Sequence, residues 1–140
     1  YGVAALIDLA VNSKNGHVAL GSIAERNEIS PQYLEQVFAS LRRAGIVKSV
    51  KGSQGGYLLK YPSSSITVAS IIQALEGTYY LDDEETKTEE SAAGIAETIQ
   101  EDIVDRVNHG LDQILQNLTL ADLEESFQER QSGGQEMYYI

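Results

Sequence analysis

The chain contains no cysteine. That single absence removes disulfides, thiolate redox chemistry and cysteine-held zinc or iron–sulfur clusters together, and it fits a reducing cytosol. Histidine is limited to His17 and His109, and neither stands in a pattern that builds a nucleophile–base pair or a metal site, so an enzyme is not expected and no cofactor is implied. No apolar run approaches the roughly 18 residues of a membrane-spanning helix, and no charged-then-apolar signal segment opens the chain. The first residue, Tyr1, already lies inside a helical pattern, and a native start upstream of it is expected.

Basic residues are scarce in one part of the chain only. The net charge of −11 would disfavour a nucleic-acid partner if it were spread evenly. Residues 1–60 hold seven Lys or Arg against four Asp or Glu, whereas the remainder holds three against seventeen. Between positions 42 and 60 there are five basic residues (Arg42, Arg43, Lys48, Lys51 and Lys60) and no acid. An acid-free cluster of this kind is either a solvated face or a surface for phosphates, and its position decides between them.

The cluster follows residues 30–45, the stretch around which the chain is organised. Ser30 can cap a helix, Pro31 suits its first position because the missing N–H is no loss there, and Gly45 can take the left-handed conformation that ends it. Leu34, Val37, Phe38 and Leu41 recur at helical spacing and form one buried stripe. Gln32, Tyr33, Glu35, Gln36, Ser40 and Arg43 stay on the other side, a face rich in hydrogen-bonding groups. Two further helices precede it. Residues 3–11 are strongly apolar, with Asp8 as the lone charge, expected on the open face, and residues 21–26 form a short helix joined by a tight connection at 27–29. Short helix, tight turn and longer capped helix give helix-turn-helix geometry, with residues 31–43 as a recognition helix for the DNA major groove.

After Gly45 the period changes from helical to alternating. Ile46 to Val50 and Tyr57 to Leu59 read as two short strands around Lys51-Gly52-Ser53-Gln54-Gly55-Gly56. Three glycines in that turn let the backbone approach a partner, and Lys48, Lys51 and Lys60 supply charge, so the hairpin reads as a wing. A nucleotide-binding loop is disfavoured because its lysine–threonine ending and following helix are missing. Thr67 then caps a helix that ends at Gly77.

Residues 78–90 form an acidic connecting loop, with Asp82, Asp83, Glu84, Glu85, Glu89 and Glu90 and too few apolar residues for a core, expected to be mobile. It lacks the alternating ligands and central glycine of a calcium loop. From 91 to 117 a long helix carries Ile95, Ile99, Ile103, Val107, Leu111 and Ile114 at steps of mostly three or four. At about 40 Å it is longer than a small domain can hide, and a second copy of itself is the natural cover. Thr119 with Asp122 caps a short packing helix reaching about 127. Residues 128–140 read as a flexible tail ending in Met137-Tyr138-Tyr139-Ile140, which either folds back or is offered to a partner.

The fold class is therefore mainly α with a small β-wing: a winged helix-turn-helix domain over 1–77 plus a long dimerisation helix. Three blocks carry a family resemblance: Tyr33-Leu34-Glu35-Gln36 with Leu41-Arg42-Arg43-Ala44-Gly45-Ile46-Val47; Ser49-Val50-Lys51-Gly52 with Gly55-Gly56-Tyr57; and Ile66-Thr67-Val68 through Leu75-Glu76-Gly77. In this order the chain resembles the IscR/CymR family of winged-helix transcriptional regulators over nearly its whole length. The resemblance implies a homodimer joined through the long helix and bound to a partly palindromic operator. It implies DNA contacts from Ser30, Gln32, Tyr33, Glu35, Gln36 and Arg43, and from Lys51 and Gly52 at the wing.

Members of the IscR type hold a cluster through cysteines just before the long helix, and here that segment has none, so cluster sensing is not expected. The acidic segment and terminal residues resemble the CymR type, a repressor of cysteine metabolism. That likeness implies a complex with cysteine synthase through Tyr138, Tyr139 and the carboxylate of Ile140, a recognised way of capturing a chain end. Two alternatives stand beside it. One is a winged-helix regulator answering another small-molecule or stress signal; the other is a protein-interaction module that does not bind DNA.

Overall fold

A computed structural model describes the backbone of residues 1–85 and 90–138, with side chains for 1–85 and 94–134. Helix α1 (Gly2–Asn12) is followed by α2 (Leu20–Asn27), α3 (Pro31–Arg43), strands β1 (Val47–Val50) and β2 (Gly56–Leu59), a 3-10 turn (Ser63–Ser65) and α4 (Val68–Glu76). Then α5 (Glu90–Ile99) passes through a π-helical stretch (Gln100–Asp105) into α6 (Arg106–Leu115), with helical dihedral angles at both junctions, so the three form one long helix. Helix α7 (Leu120–Tyr138) closes the chain.

The helix ends follow from local chemistry. Ser30 Oγ accepts the backbone N–H of Tyr33 at 3.4 Å, and Thr67 Oγ1 accepts that of Ser70 at 3.1 Å, each satisfying an N–H that a helix start leaves unpaired. Thr119 and Asp122 cap α7 reciprocally: the Asp122 carboxylate accepts the Thr119 N–H at 2.9 Å and Thr119 Oγ1 accepts the Asp122 N–H at 3.1 Å. Gly45 (φ +79°) and Gly77 (φ +86°) take the left-handed backbone just past α3 and α4. Glu28 takes it after α2 at φ 53°, the sharp turn between α2 and α3.

Leu6 and Leu9 of α1, Ile23 of α2, Leu34, Phe38 and Leu41 of α3, Val47 of β1 and Ile71 of α4 are fully buried in one core. Each such side chain contributes about 1.5–3 kcal/mol by leaving water. Leu120 of α7 is buried in the same core. The attachment is reinforced by backbone bonds between the segments that lead into α4 and α7, Val68 N–H to Leu118 at 2.7 Å and Leu120 N–H to Ile66 at 2.8 Å. Glu124, the buried charged residue of the described core, meets Lys14 at 2.6 Å and accepts from Ser63 at 3.4 Å. The C-terminal helix is thus part of the winged domain's core, although the long helix separates it in sequence.

Three expectations are corrected. Asp8 does not lie on an open face: its side chain is 10% exposed and accepts from Arg26 Nη2 at 2.7 Å, Arg26 Nε at 2.9 Å and Asn27 at 3.0 Å. The charge is tolerated there because it is paired and hydrogen-bonded. Residues 128–138 are helical as the end of α7, where a flexible tail is expected from Gln128. Gln128, Glu129, Arg130 and Gln131 are good helix formers, and Arg130 bonds back one turn to Ser126 Oγ at 2.5 Å.

The third correction concerns the acidic segment, which is fastened along the long helix as far as it is described. Tyr79 and Tyr80 both donate to Asp112, the Leu81 N–H donates to Asn108 at 2.8 Å, and the Glu84 N–H donates to Gln100 at 2.6 Å. Gln100 in turn donates to Asp83 at 3.1 Å. Gln100, Asn108 and Asp112 lie on one ridge of the helix, at multiples of four residues, and Val104 on that ridge is buried. Hydrogen bonds from helix side chains to strap backbone replace the apolar contacts that the segment lacks.

Candidate nucleic-acid interface

Because α3 buries Leu34, Val37, Phe38 and Leu41, its remaining positions must face outward, and Gln32, Tyr33, Glu35 and Gln36 are all exposed. Ser30, also exposed, donates its hydroxyl to Gln32 Oε1 at 3.0 Å while it caps the helix. The amide nitrogen of Gln32 is left as the outward donor. Tyr33 stacks edge-on against Tyr1, with ring centroids 5.8 Å apart. Gln36, Tyr33 and Ser40 share one wall of a hollow of about 320 Å³ closed by α1 and α4. Gln36 therefore has a fixed flank on one side and solvent on the other. Arg43 donates to Ser40 Oγ at 3.2 Å, which keeps its head along the helix end.

The wing is an antiparallel pair with Val47 opposite Leu59 and Val50 opposite Gly56. Its turn holds Lys51 and Gly52, both exposed, and Gly52 has φ +129°, a backbone that favours glycine. The wing is tied to the recognition helix by the rings of Phe38 and Tyr57, 4.8 Å apart. Arg42, Arg43, Lys48, Lys51 and Lys60 are all exposed, and none of the five is paired with a carboxylate among the described residues. The ion pairs that are seen engage Lys14 and Arg26, which removes those two cations from the surface supply. An exposed polar helix face beside unpaired cations can read base edges with the first and hold phosphates with the second.

Sequence reasoning missed the segment that supports the wing. Val18 forms a bridge to Tyr57, with backbone bonds of 3.0 and 2.9 Å in the two directions, and so adds a third strand one residue long. A β-carbon on Gly56 would stand 2.3 Å from the Val18 carbonyl oxygen, so glycine is needed for this approach. The ring Nε2 of His17 is hydrogen-bonded to the backbone carbonyl of Gln54 in the wing turn. The signals available in the sequence were Gly56 and the apolar Val18, but neither identifies its partner.

On the long helix Ile95 and Ile114 are each 65% exposed, Ile103 53% and Val107 42%. Ile99 and Leu111 are half-buried. This apolar stripe is separate from the ridge that holds the strap. Tyr138 lies at the end of α7 without a described side chain, and Tyr139 and Ile140 fall outside the described residues.

Compared with known proteins, residues 1–126 match the family model Rrf2, described as an iron-dependent transcriptional regulator. The regulator IscR of Yersinia enterocolitica is 38% identical over 127 residues, covering 88% of this chain and 74% of that protein. Among solved structures, CymR, the global cysteine regulator of B. subtilis, superposes with a TM-score of 0.75 at 36% identity, covering 90% of this chain and 92% of the other. IscR of T. potens gives 0.69 at 40% identity, covering 94% and 85%. These relatives are transcriptional regulators, not enzymes.

The iron in the family description finds no matching donor set among the described residues. There is no cysteine to supply thiolate, and among the described residues no group of three or more His, Asp or Glu side chains is placed to hold a metal ion. His17 sits at the wing and His109 on α6, on separate elements. The donor set does not fit an iron–sulfur cluster. With the match over residues 1–126 and a relative of known type at 38% identity, the chain belongs to the Rrf2 family of transcriptional regulators.

Proposed function

We propose that the chain is a homodimeric, cytoplasmic DNA-binding repressor of cysteine and sulfur metabolism genes, acting on a partly palindromic operator. The observation that carries the DNA-binding part is the set of five exposed cations from Arg42 to Lys60, none paired with a carboxylate among the described residues, beside the exposed polar face of α3. Lys51, Gly52 and Arg43 hold phosphates and set the register, whereas Gln32, Gln36 and Glu35 meet base edges. Glutamine can pair with adenine, and Glu35 can accept from the cytosine amino group. Glu35 is also repelled by phosphate, so it penalises wrong sites more than it aids the right one.

The dimer is supported by the exposed stripe of Ile95, Ile103, Val107 and Ile114, completed by Ile99 and Leu111. Apolar surface of that extent on a helix calls for cover, and a two-fold axis supplies the same surface from a second copy. Two-fold symmetry then places inverted half-sites about one DNA turn apart. The metabolic assignment is supported by the likeness to a global cysteine regulator and by a donor set that does not fit a cluster. In this reading the signal is a complex with cysteine synthase, whose active site takes the Ile140 carboxylate with Tyr138 and Tyr139 beside it.

The test is binding of labelled promoter DNA from cysteine and sulfur-uptake genes, with and without purified cysteine synthase, for the full chain and for one lacking Ile140. An enzyme effect on DNA affinity that requires Ile140 supports the whole reading. DNA binding that ignores the enzyme leaves a winged-helix regulator with a different signal. No salt-dependent DNA binding at all favours a protein-interaction module instead.

A further inference from the structure

The segment between α1 and α2 has no role in the reading above, yet it makes the contacts that hold the wing turn from outside the hairpin. A two-stranded hairpin by itself is marginal in water, and its turn is the least constrained part. Here the base of β2 is fixed by the paired Val18 and Tyr57 backbone bonds and by the Phe38–Tyr57 ring contact. Those contacts stop at Tyr57. Residues 51–55 extend beyond them, with a 3.1 Å bond from the Gly55 N–H to the Gly52 carbonyl closing the turn on itself. Among the described residues, the hydrogen bond that reaches the turn from another element is His17 to the Gln54 carbonyl, 37 positions away in sequence. Lys51, the wing cation, lies in that same turn and is exposed and unpaired among the described residues.

We propose that His17 is a positioning residue for DNA binding: by donating to the Gln54 carbonyl it holds the wing turn so that Lys51 is presented to a phosphate. The inference rests on the DNA-binding reading and adds to it a residue outside both the recognition helix and the wing. The mechanism is entropic. A cation on an untethered loop must be ordered when it binds, and that ordering weakens the contact. A tether made before binding removes part of the cost without touching DNA. The neighbouring Val18–Tyr57 bridge and the close approach at Gly56 keep residue 17 over the turn, so the tether depends on the fold and not on the histidine alone.

The experiment measures affinity of the full chain for a mixed-sequence DNA duplex over a range of salt, because a phosphate contact does not depend on sequence. Four variants are compared: His17→Ala, His17→Gln, Lys51→Ala and the double variant His17→Ala/Lys51→Ala, each with its thermal midpoint. His17→Ala is expected to bind about fivefold more weakly, the scale of one lost hydrogen bond, with the salt slope nearly unchanged, because Lys51 still reaches its phosphate in the complex and only the cost of ordering the turn has risen. His17→Gln keeps an N–H donor and is expected to stay within about twofold of the native chain. In the Lys51→Ala background the His17→Ala effect is expected to shrink to about twofold or less, because the two act through one contact. Full additivity of the two substitutions would overturn the proposal, since His17 would then act on DNA independently. A His17→Ala chain of undiminished affinity, or a His17→Gln chain as weak as His17→Ala, would overturn it too. If the native chain bound no duplex, the DNA-binding reading would fall and this inference with it.

Discussion

The phenol of Tyr80 donates to both carboxylate oxygens of Asp112, at 2.7 Å to each, joining residues 32 positions apart. Tyr79 adds a third contact at 2.5 Å, so two adjacent phenols from the strap converge on one carboxylate of α6. Hydrogen bonds to these phenols hold the Asp112 carboxyl below the usual carboxylate range, with a smaller contribution from the charge of His109. The same carboxylate pushes Tyr79 up and Tyr80 up to about 12.

The pH dependence follows from these directions. Asp112 has a depressed folded value, so its contribution is present above the ordinary carboxylate range and is lost as pH falls through the lower folded value. Tyr79 and Tyr80 are raised, so theirs is complete below the ordinary phenol value of about 10 and is lost as pH climbs toward about 12 for Tyr80. The strap should therefore be most firmly held across the neutral range. Ultraviolet titration should show late-ionising phenols that return to the ordinary range in Asp112→Asn; identical titration curves for the two chains would refute the clamp.

At the wing, Gly56→Ala should lower stability by about 1–3 kcal/mol, the scale of overpacking. The added β-carbon would meet backbone 2.3 Å away, which cannot move aside as a flexible side chain could. Urea unfolding of the two chains checks this. An unchanged midpoint would mean that the segment around Val18 is not packed on the wing as described.

The two halves of the proposed DNA surface should respond differently. Lys51→Ala should weaken binding to every sequence and reduce the salt slope by about one, whereas Gln36→Ala should shift base preference by about 1–3 kcal/mol at the position it meets. Selection of preferred sites from a randomised pool, followed by affinity measurements on them, separates the two. If both variants lost only general affinity, base readout by Gln36 would be wrong.

For the proposed dimer, Ile103→Glu places a charge in the middle of the exposed apolar stripe. Burying it against a second copy is costly, and the variant should be monomeric at concentrations where the native chain is dimeric. Sedimentation of both chains decides. The winged domain should keep its own thermal transition, since Ile103 is 53% exposed and outside its core.

Features that depend on neighbours in sequence were legible from the residues alone. The caps at Ser30, Thr67 and Thr119, the stops at Gly45 and Gly77 and the buried stripe of α3 all rest on groups within a few positions of one another, where periodicity and side-chain chemistry act directly. The exposure of Gln32, Glu35 and Gln36 followed as the other side of that stripe. Features that join distant positions were not legible. Nothing near Asp8 announces Arg26, 18 residues on, and nothing near His17 announces Gln54. The strap misled for the same reason: its composition is too polar for a core, but the ridge of Gln100, Asn108 and Asp112 lies on another element and supplies its partners. The sequence by itself determined the capped helix starts, the glycine stops and the outward face of α3, because those are set within one or two turns of backbone, whereas the enclosed side of α1 at Asp8 and the run of α7 on to Tyr138 were not read from it. Only the tertiary structure decided which polar groups meet, because a hydrogen bond across the fold depends on where packing of the apolar stripes brings the chain.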